Sequence, residues 1–330
     1  MRSDPVEYHS RRRQKRPRGR IVTTVVAIIA AAAIAVAVTL YNKSADPKGP
    51  LPVHLPTTAG SYLGVYAAGV PASYAGLTSF TSATGAKPDV VMYYSGWFVP
   101  FPVSFAMTAA NNGAAPLVQM DPDNVSVAEI ASGRYDGYLS AYAEAVRAYR
   151  HPVIMSFGHE MNGDWYPWGY RHASPAVFVA AWRHVVKLFR VLGAQNVTWL
   201  WTVNVINNTQ RGKIPSPGQW WPGGSYVNWV GIDGYYLKPS WRFAPLFGPT
   251  IGTVRALTRD PILIAETGAV PAAGQPARIA DLFAGIHSYG LLGFVWFNST
   301  NSIGQHFGIN SSAAIAEFRK GASTYHRPGS

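Results

Sequence analysis

Cysteine is absent from the 330 residues, which excludes disulfides, thiolate metal sites and a thiol nucleophile. Acidic residues are scarce too, at 10 Asp and 6 Glu, so each glutamate can be judged by its own position. The chain also lacks a G-x-G-x-x-G, a G-x-x-x-x-G-K-[ST] and a G-x-S-x-G. Those gaps leave the dinucleotide fold, the P-loop and the nucleophile elbow without a signal. "HEMNG" at 159–163 begins like the zinc motif H-E-x-x-H, but position 163 is glycine, so the second ligand is missing.

The net charge of +12 suggests nucleic acid until its distribution is read. Residues 1–20 hold eight Arg/Lys against Asp4 and Glu7, which is half of that net charge, and no second basic cluster follows. A nucleic-acid partner is therefore not expected. Directly after this arm, "IVTTVVAIIAAAAIAVAVTL" at 21–40 is free of charge, and a helix of about 1.5 Å per residue and that length spans a bilayer core of roughly 30 Å. The expectation is a single-pass anchor in the cell membrane, with the arm cytoplasmic and the remainder outside. A cleaved signal peptide is the alternative, since "AVA" at 35–37 resembles a cleavage site. Residues 41–60, rich in proline and small polar residues, read as a spacer to a catalytic domain at 61–330.

In that body, apolar runs recur at 62–66, 89–94, 116–120, 152–157, 197–203, 229–236, 262–265 and 293–297. Most are continuous rather than alternating, as in parallel strands covered on both faces. Helical segments lie among them: residues 126–150, 174–193 with Ser174 as N-cap and Pro175 at the first position, 275–290 and 311–321. The fold class is α/β, a (β/α)₈ barrel, with an open doubly wound sheet as the competing topology.

A barrel of this kind presents its chemistry at the C-terminal ends of its strands. Glu7 is in the basic arm, and Glu129, Glu144 and Glu317 fall in helical segments. Glu160 follows the fourth run and Glu266 the seventh, so both are expected at one mouth. One glutamate after a strand is usually an ordinary loop residue. Two of them, among many tryptophans, are the equipment of glycoside hydrolysis: one acid held protonated, the other ionised. Trp97, Trp165, Trp168, Trp220, Trp221, Trp241 and Trp296 are placed to offer flat faces to a sugar.

The segments "KPDVVMYYSGW", "FPVSFAMTAANNGAAPLVQMDPD", "GHEMNGDWYPWG", "WLWTVN", "WVGIDGYY", "ILIAETG" and "GFVWFN" together resemble glycoside hydrolase family 26 over about residues 62–318. The resemblance implies a retaining (β/α)₈ enzyme acting on a mannan-type β-glycan, most typically an endo-β-1,4-mannanase. It also spans β-1,3-xylanases and mixed-linkage β-glucanases. A hydrolase of the cell's own exopolysaccharide and a polysaccharide-binding protein without turnover are further alternatives. By motif, Glu160 matches the acid/base and Glu266 the nucleophile. His159 matches a contact to the substrate or nucleophile, and Trp165 an aromatic of the subsite holding the cleaved sugar. Tyr235 matches the tyrosine that orients the nucleophile, with Tyr236 as the neighbouring candidate, and Trp296 a platform beneath the sugar. Asn162, Trp168, Trp97 and Asp121 are expected near the mouth. "DWYPWG" departs from typical mannanases in its Tyr-Pro pair. The implied mechanism requires neither metal nor organic cofactor, and a monomer is expected.

Overall fold

The computed structural model describes residues 55–206 and 214–325. The basic arm, the expected membrane helix at 21–40 and the spacer up to residue 54 lie outside them. Among the described residues no helix is long and apolar enough to cross a membrane.

The apolar runs become eight parallel strands: β1 (Tyr62–Ala67), β2 (Val90–Gly96), β3 (Ala115–Asp121), β4 (Val153–Phe157), β5 (Val197–Asn204), β6 (Trp229–Asp233), β7 (Ile262–Thr267) and β8 (Gly293–Asn298). Each pairs with the next and β8 pairs with β1, which closes the sheet into a (β/α)₈ barrel. The open-sheet alternative is thereby excluded. The helices are α1 (Ala75–Thr84), α2 (Val103–Asn111), α3 (Val127–Ala131), α4 (Asp136–Tyr149), α5 (Pro175–Val191), α6 (Phe243–Arg255), α7 (Gln275–Ser288) and α8 (Ser312–Ala322).

Capping explains which helices announced themselves. In α5 the Ser174 side chain accepts from the Val177 N–H and Pro175 opens the helix, and in α8 the Ser311 side chain accepts from Ala314 N–H. The segment at 126–150 splits into α3 and α4 because Gly133, at φ +83°, turns the chain between them. Helices α1, α2 and α6 had no comparable signal: Tyr74, Pro102 and Arg242 precede them without a side-chain cap, and α6 contains Pro249.

Strand side chains alternate between two cores. The outer faces of the strands pack on the helices in one large cluster that includes Val65, Val118, Met155, Trp201 and Phe294. The inner faces fill the barrel with Val90, Met92, Leu117, Ile154, Leu200, Leu263 and Val295. Burying each such side chain contributes on the order of 1.5–3 kcal/mol. At the lower end Tyr62 packs on Trp229, with ring centroids 5.1 Å apart, and donates its hydroxyl to the Pro56 carbonyl at 2.7 Å. Going up the axis the inward residues turn polar, with Gln119, Ser156 and Thr202 buried above the aliphatic layer. Ser156 Oγ donates to Thr202 Oγ1 at 2.9 Å. Above them, the mouth carries Tyr66, Tyr94, Asp121, Asn204, Asp233 and Phe297.

Candidate active site

Glu266 reaches the mouth through an irregularity. Leu263 and Ala265 face inward on β7, so strict alternation would turn Glu266 outward toward the helices. Against β6 the register runs Gly231 to Leu263 and then Asp233 to Glu266, and against β8 it runs Ile264 to Phe294 and then Thr267 to Trp296. In both ladders β7 carries one extra residue. A bulge of this kind re-aims the next side chain, and here it turns Glu266 inward.

Glu160 arrives by another route. Past Phe157 the chain curls, with Gly158 at φ +55° and Glu160 at φ +53°. For a residue with a Cβ that conformation costs roughly 1–2 kcal/mol. Backbone bonds from Glu160 N–H to Thr202 O at 3.0 Å and from Gly163 N–H to Glu160 O at 2.8 Å hold it in place. Such strain is characteristic of functional positions.

Each carboxylate oxygen of the pair has its own donor. The Tyr94 hydroxyl donates to Glu266 Oε1 at 2.7 Å and the Tyr235 hydroxyl to Oε2 at 2.8 Å. The Trp165 indole N–H donates to Glu160 Oε2 at 2.6 Å, and the Asn204 amide donates to Oε1. Both glutamates line one cavity of about 460 Å³, together with Tyr66, Tyr94, Tyr166, Tyr235 and Phe297. That size lies within the usual range of ligand sites. Tyr66 stacks on Phe297, with centroids 4.6 Å apart at 14°, so rings surround the carboxylates on the side of β1 and β8.

Burial pushes the Glu266 carboxyl up to about 7; the charge of Glu160 adds to the rise, while His159 and the two tyrosine hydroxyls oppose it. For His159 burial acts downward, but the charge and hydrogen bond of Asp121, with Glu266 and Glu160 behind it, outweigh burial and raise it to about 9. That rise favours the imidazolium form of His159 at neutral pH. Its Nδ1 donates to Asp121 Oδ1 at 2.8 Å and its Nε2 to the Tyr166 oxygen at 3.1 Å. Asp233 is fully buried beside Glu266 in the ladder. Burial first, then the charges of Glu266 and Glu160, hold its carboxyl well above the carboxylate range.

The loop after β4 wraps this charge cluster. Tyr166 stacks on Trp168 at 4.4 Å and 9°, and the Trp168 indole donates to His159 O at 2.8 Å. Any Cβ at Gly163 would lie 2.2 Å from the Trp165 ring. The place where a zinc motif needs its second histidine is thus occupied by that indole. Among the described residues no group of three or more His, Asp or Glu is arranged to hold a metal ion.

Several expected contacts are corrected. Trp296 is fully buried on the outer face of β8, packed on Phe318, with its indole donating to Phe307 O at 3.1 Å. It cannot lie beneath a sugar; Phe297, the next residue, faces the cavity instead. Trp97 is buried in the outer core against Phe157 and Tyr138. Trp168 supports Tyr166 from beneath without lining the cavity, and Trp220 is buried as well. Asn162 is fully buried, its amide spent on Asn204 N–H at 2.9 Å and Asn204 O at 2.8 Å, so it braces the residue that holds Glu160. His159, at 1% exposed, touches Asp121 and Tyr166 rather than open cavity. Of the two tyrosines after β6, Tyr235 reaches Glu266 while Tyr236 is buried against Phe247. Tyr66, Tyr94, Tyr166, Asn204, Asp233 and Phe297 were not singled out beforehand, although alternation along each strand points most of them inward.

Eight parallel strands closed around a buried carboxylate pair in an aromatic cavity define the class: a (β/α)₈ barrel with a site of glycosidase type. Residues 123–248 match the family model described as glycosyl hydrolase family 26. Endoglucanase H of Acetivibrio thermocellus is 31% identical over 269 residues, which are 76% of this chain and 29% of that protein. A β-1,3-xylanase of a Vibrio species is 29% identical over 117 residues, 35% of this chain and 23% of that protein. The chain thus spans less than a third of either curated relative. A modular endo-β-1,4-mannanase from Cellulomonas fimi superposes with a TM-score of 0.63 at 17% identity, covering 80% of this chain and 71% of that one. A β-mannanase from Bacteroides ovatus gives 0.60 at 17% identity, covering 81% and 89%. These structural likenesses bear on the fold alone. The chain belongs to glycoside hydrolase family 26.

Proposed function

We propose that the protein is a retaining β-glycoside hydrolase of an extracellular polysaccharide. The observation that carries this reading is the convergence of Glu160 and Glu266 on one cavity with different donor sets. Glu266, in the ionised form that predominates above about pH 7 and steered by two phenolic hydroxyls, attacks the anomeric carbon. Glu160 donates its proton to the leaving oxygen as that bond breaks. Covalent capture neutralises Glu266, so the ionised Glu160 no longer faces a second charge and removes a proton from the incoming water. The water oxygen displaces Glu266 and retains the β configuration. The buried His159 cation stabilises Glu266 in its charged form, and Asp121 keeps His159 charged.

None of the described residues lining the cavity is lysine or arginine. With two carboxylates present, that lining favours a neutral glycan over one bearing uronic acids or sulfate. The first candidate is a β-1,4-mannan. A β-glucan or β-1,3-xylan is the second, favoured by the names of the two curated relatives, and a polymer made by the same cell is a further one. The basic arm and the uncharged stretch at 21–40 support tethering at the cell membrane, with residues 61–330 outside as the catalytic domain. Incubating the protein with mannan, β-glucan, β-1,3-xylan and a polyuronate and measuring new reducing ends tests this reading. Release from a neutral β-glycan, absent in Glu266→Ala, is the expected result. Binding without release, unchanged in that variant, would identify a polysaccharide-binding protein instead.

A further inference from the structure

Phe98 stands at a place in the fold where phenylalanine is out of character. The Val99 N–H closes a turn onto Gly96 O at 3.2 Å, and Phe98, third of its four residues, has φ +67°. Position i+2 of a turn with positive φ there ordinarily carries glycine or asparagine. A bulky aromatic in that region is a true outlier. The ring is not compensated by burial, since it is 60% exposed with Val99 beside it at 46%. Its orientation is nevertheless locked. Trp97, Tyr135 and Tyr138 meet it edge to face, with centroids 6.4, 5.7 and 5.4 Å away, and the Tyr138 hydroxyl donates to Val99 O at 3.0 Å.

The location gives the ring a use. The turn follows the C-terminal end of β2, the strand whose Tyr94 donates to Glu266, and rests on the start of α4, so it lies on the mouth side of the barrel. Four residues of extended chain reach at most about 14 Å, so Phe98 lies within a few sugar lengths of Tyr94, the residue that donates to Glu266. Behind it, Trp97 touches Phe157 at the end of β4. The charged groups nearby do not suit an anionic membrane surface: Arg134 is paired with Glu129 at 2.6 Å, Glu129 also accepts from Tyr135, and Asp123 borders Gly96.

We propose that Phe98 is the platform of a distal sugar subsite, on which a neutral sugar unit of the same glycan chain stacks by its C–H face while another is cleaved between Glu160 and Glu266. This subsite rests on the hydrolase reading above and makes the enzyme selective for long chains over short ones.

The test compares the full chain with its Phe98→Ala, Phe98→Gly and Phe98→Tyr variants. Each is assayed on whichever polymer of the panel is cleaved and on the short oligosaccharides derived from it. Stacking on an exposed ring supports an expected fall of about three- to tenfold in the ratio of kcat/KM for polymer to that for the shortest substrate in Phe98→Ala and Phe98→Gly. Phe98→Tyr retains the ratio. Phe98→Gly fits the turn better, so its midpoint of thermal unfolding should equal or exceed that of the wild type; a merely structural ring would lower it. An unchanged ratio in all three variants would overturn the subsite while leaving the hydrolase intact. No cleavage of any polymer by the wild type would overturn the hydrolase reading and the subsite with it. Sedimentation with phosphatidylserine vesicles, or a dimer, that is lost in Phe98→Ala would assign the patch to a membrane or to a second copy and would equally contradict the subsite.

Discussion

The two glutamates at the mouth reach it by different means and sit in different company. Glu160 lies past the end of β4 on left-handed backbone and is held by N–H donors, from Trp165 and Asn204. Glu266 lies inside β7, turned inward by a bulge and held by two O–H donors, from Tyr94 and Tyr235. The difference shows how one barrel separates two chemically identical side chains. Glu160 rides on a loop whose partners come from that loop and from β5. Glu266 is embedded in the sheet, and its partners stand on β2 and just past β6, so its position is defined across the barrel.

The largest effect expected from disturbing this contrast is catalytic. Glu266→Ala should lower kcat/KM by on the order of 10⁴-fold or more, measured by release of reducing ends. Glu160→Ala should cost about 10²–10⁴-fold, and much less on an aryl glycoside whose leaving group needs no proton. Equal losses on both substrates would mean that Glu160 does not act as the acid.

Next come the tyrosines. A hydrogen bond to a charged group contributes about 1.5–3 kcal/mol, so Tyr94→Phe or Tyr235→Phe should cost roughly 10- to 100-fold in kcat/KM. Both hydroxyls lower the Glu266 carboxyl, which stands at about 7. Their removal raises it further, so the acidic limb of the pH profile should move to higher pH. A loss of rate without that movement would place the hydroxyls on substrate rather than on Glu266.

A stability measurement separates the glutamates again. Glu266 is raised in the folded state from 4.5 to about 7. Its protonated form therefore stabilises the fold at pH below about 4.5, and that contribution is lost as pH rises through 7. Glu266→Gln should accordingly gain stability over the wild type across this window, with a ceiling of about 3 kcal/mol at 1.36 kcal/mol per unit. Chemical denaturation at pH 5 and pH 8 reads it directly. A gain of equal size at both values would show that the charge is not the cause.

The smallest expected effect concerns the two neighbours on β8. Trp296→Phe should cost about 1 kcal/mol of stability with little change in KM, because the ring faces Phe318. Phe297→Ala removes a ring from the cavity and should raise KM. The reverse pattern would return Trp296 to the sugar.

This pair also marks how far the sequence could be read. The barrel was legible because parallel strands covered on both faces leave continuous apolar runs, and four helical segments carried cap or periodicity signals. Helices α1, α2 and α6 begin without a side-chain cap and left no such trace. Glu160 and Glu266 stood out because so few glutamates exist. The bulge that aims Glu266 leaves no mark in "ILIAET", where alternation alone would have turned it outward. Trp296 was placed by resemblance against an alternation that puts Phe297 inward. Tyr94 and Asn204 could have been found by counting inward positions from the apolar start of each strand, whereas Tyr166 depends on a loop that folds back on Trp168.

Trapping the intermediate shows whether Glu266 bonds to the sugar while Glu160 moves the proton. A 2-deoxy-2-fluoro β-glycoside with a good leaving group, matched to the sugar that the enzyme releases, slows the second step and leaves the glycosyl group on the protein. The expected result in peptide mass spectrometry is one added fluoroglycosyl group on the peptide containing Glu266, absent in Glu266→Gln. A label on another residue, or turnover with inversion and no label, would contradict that division of roles.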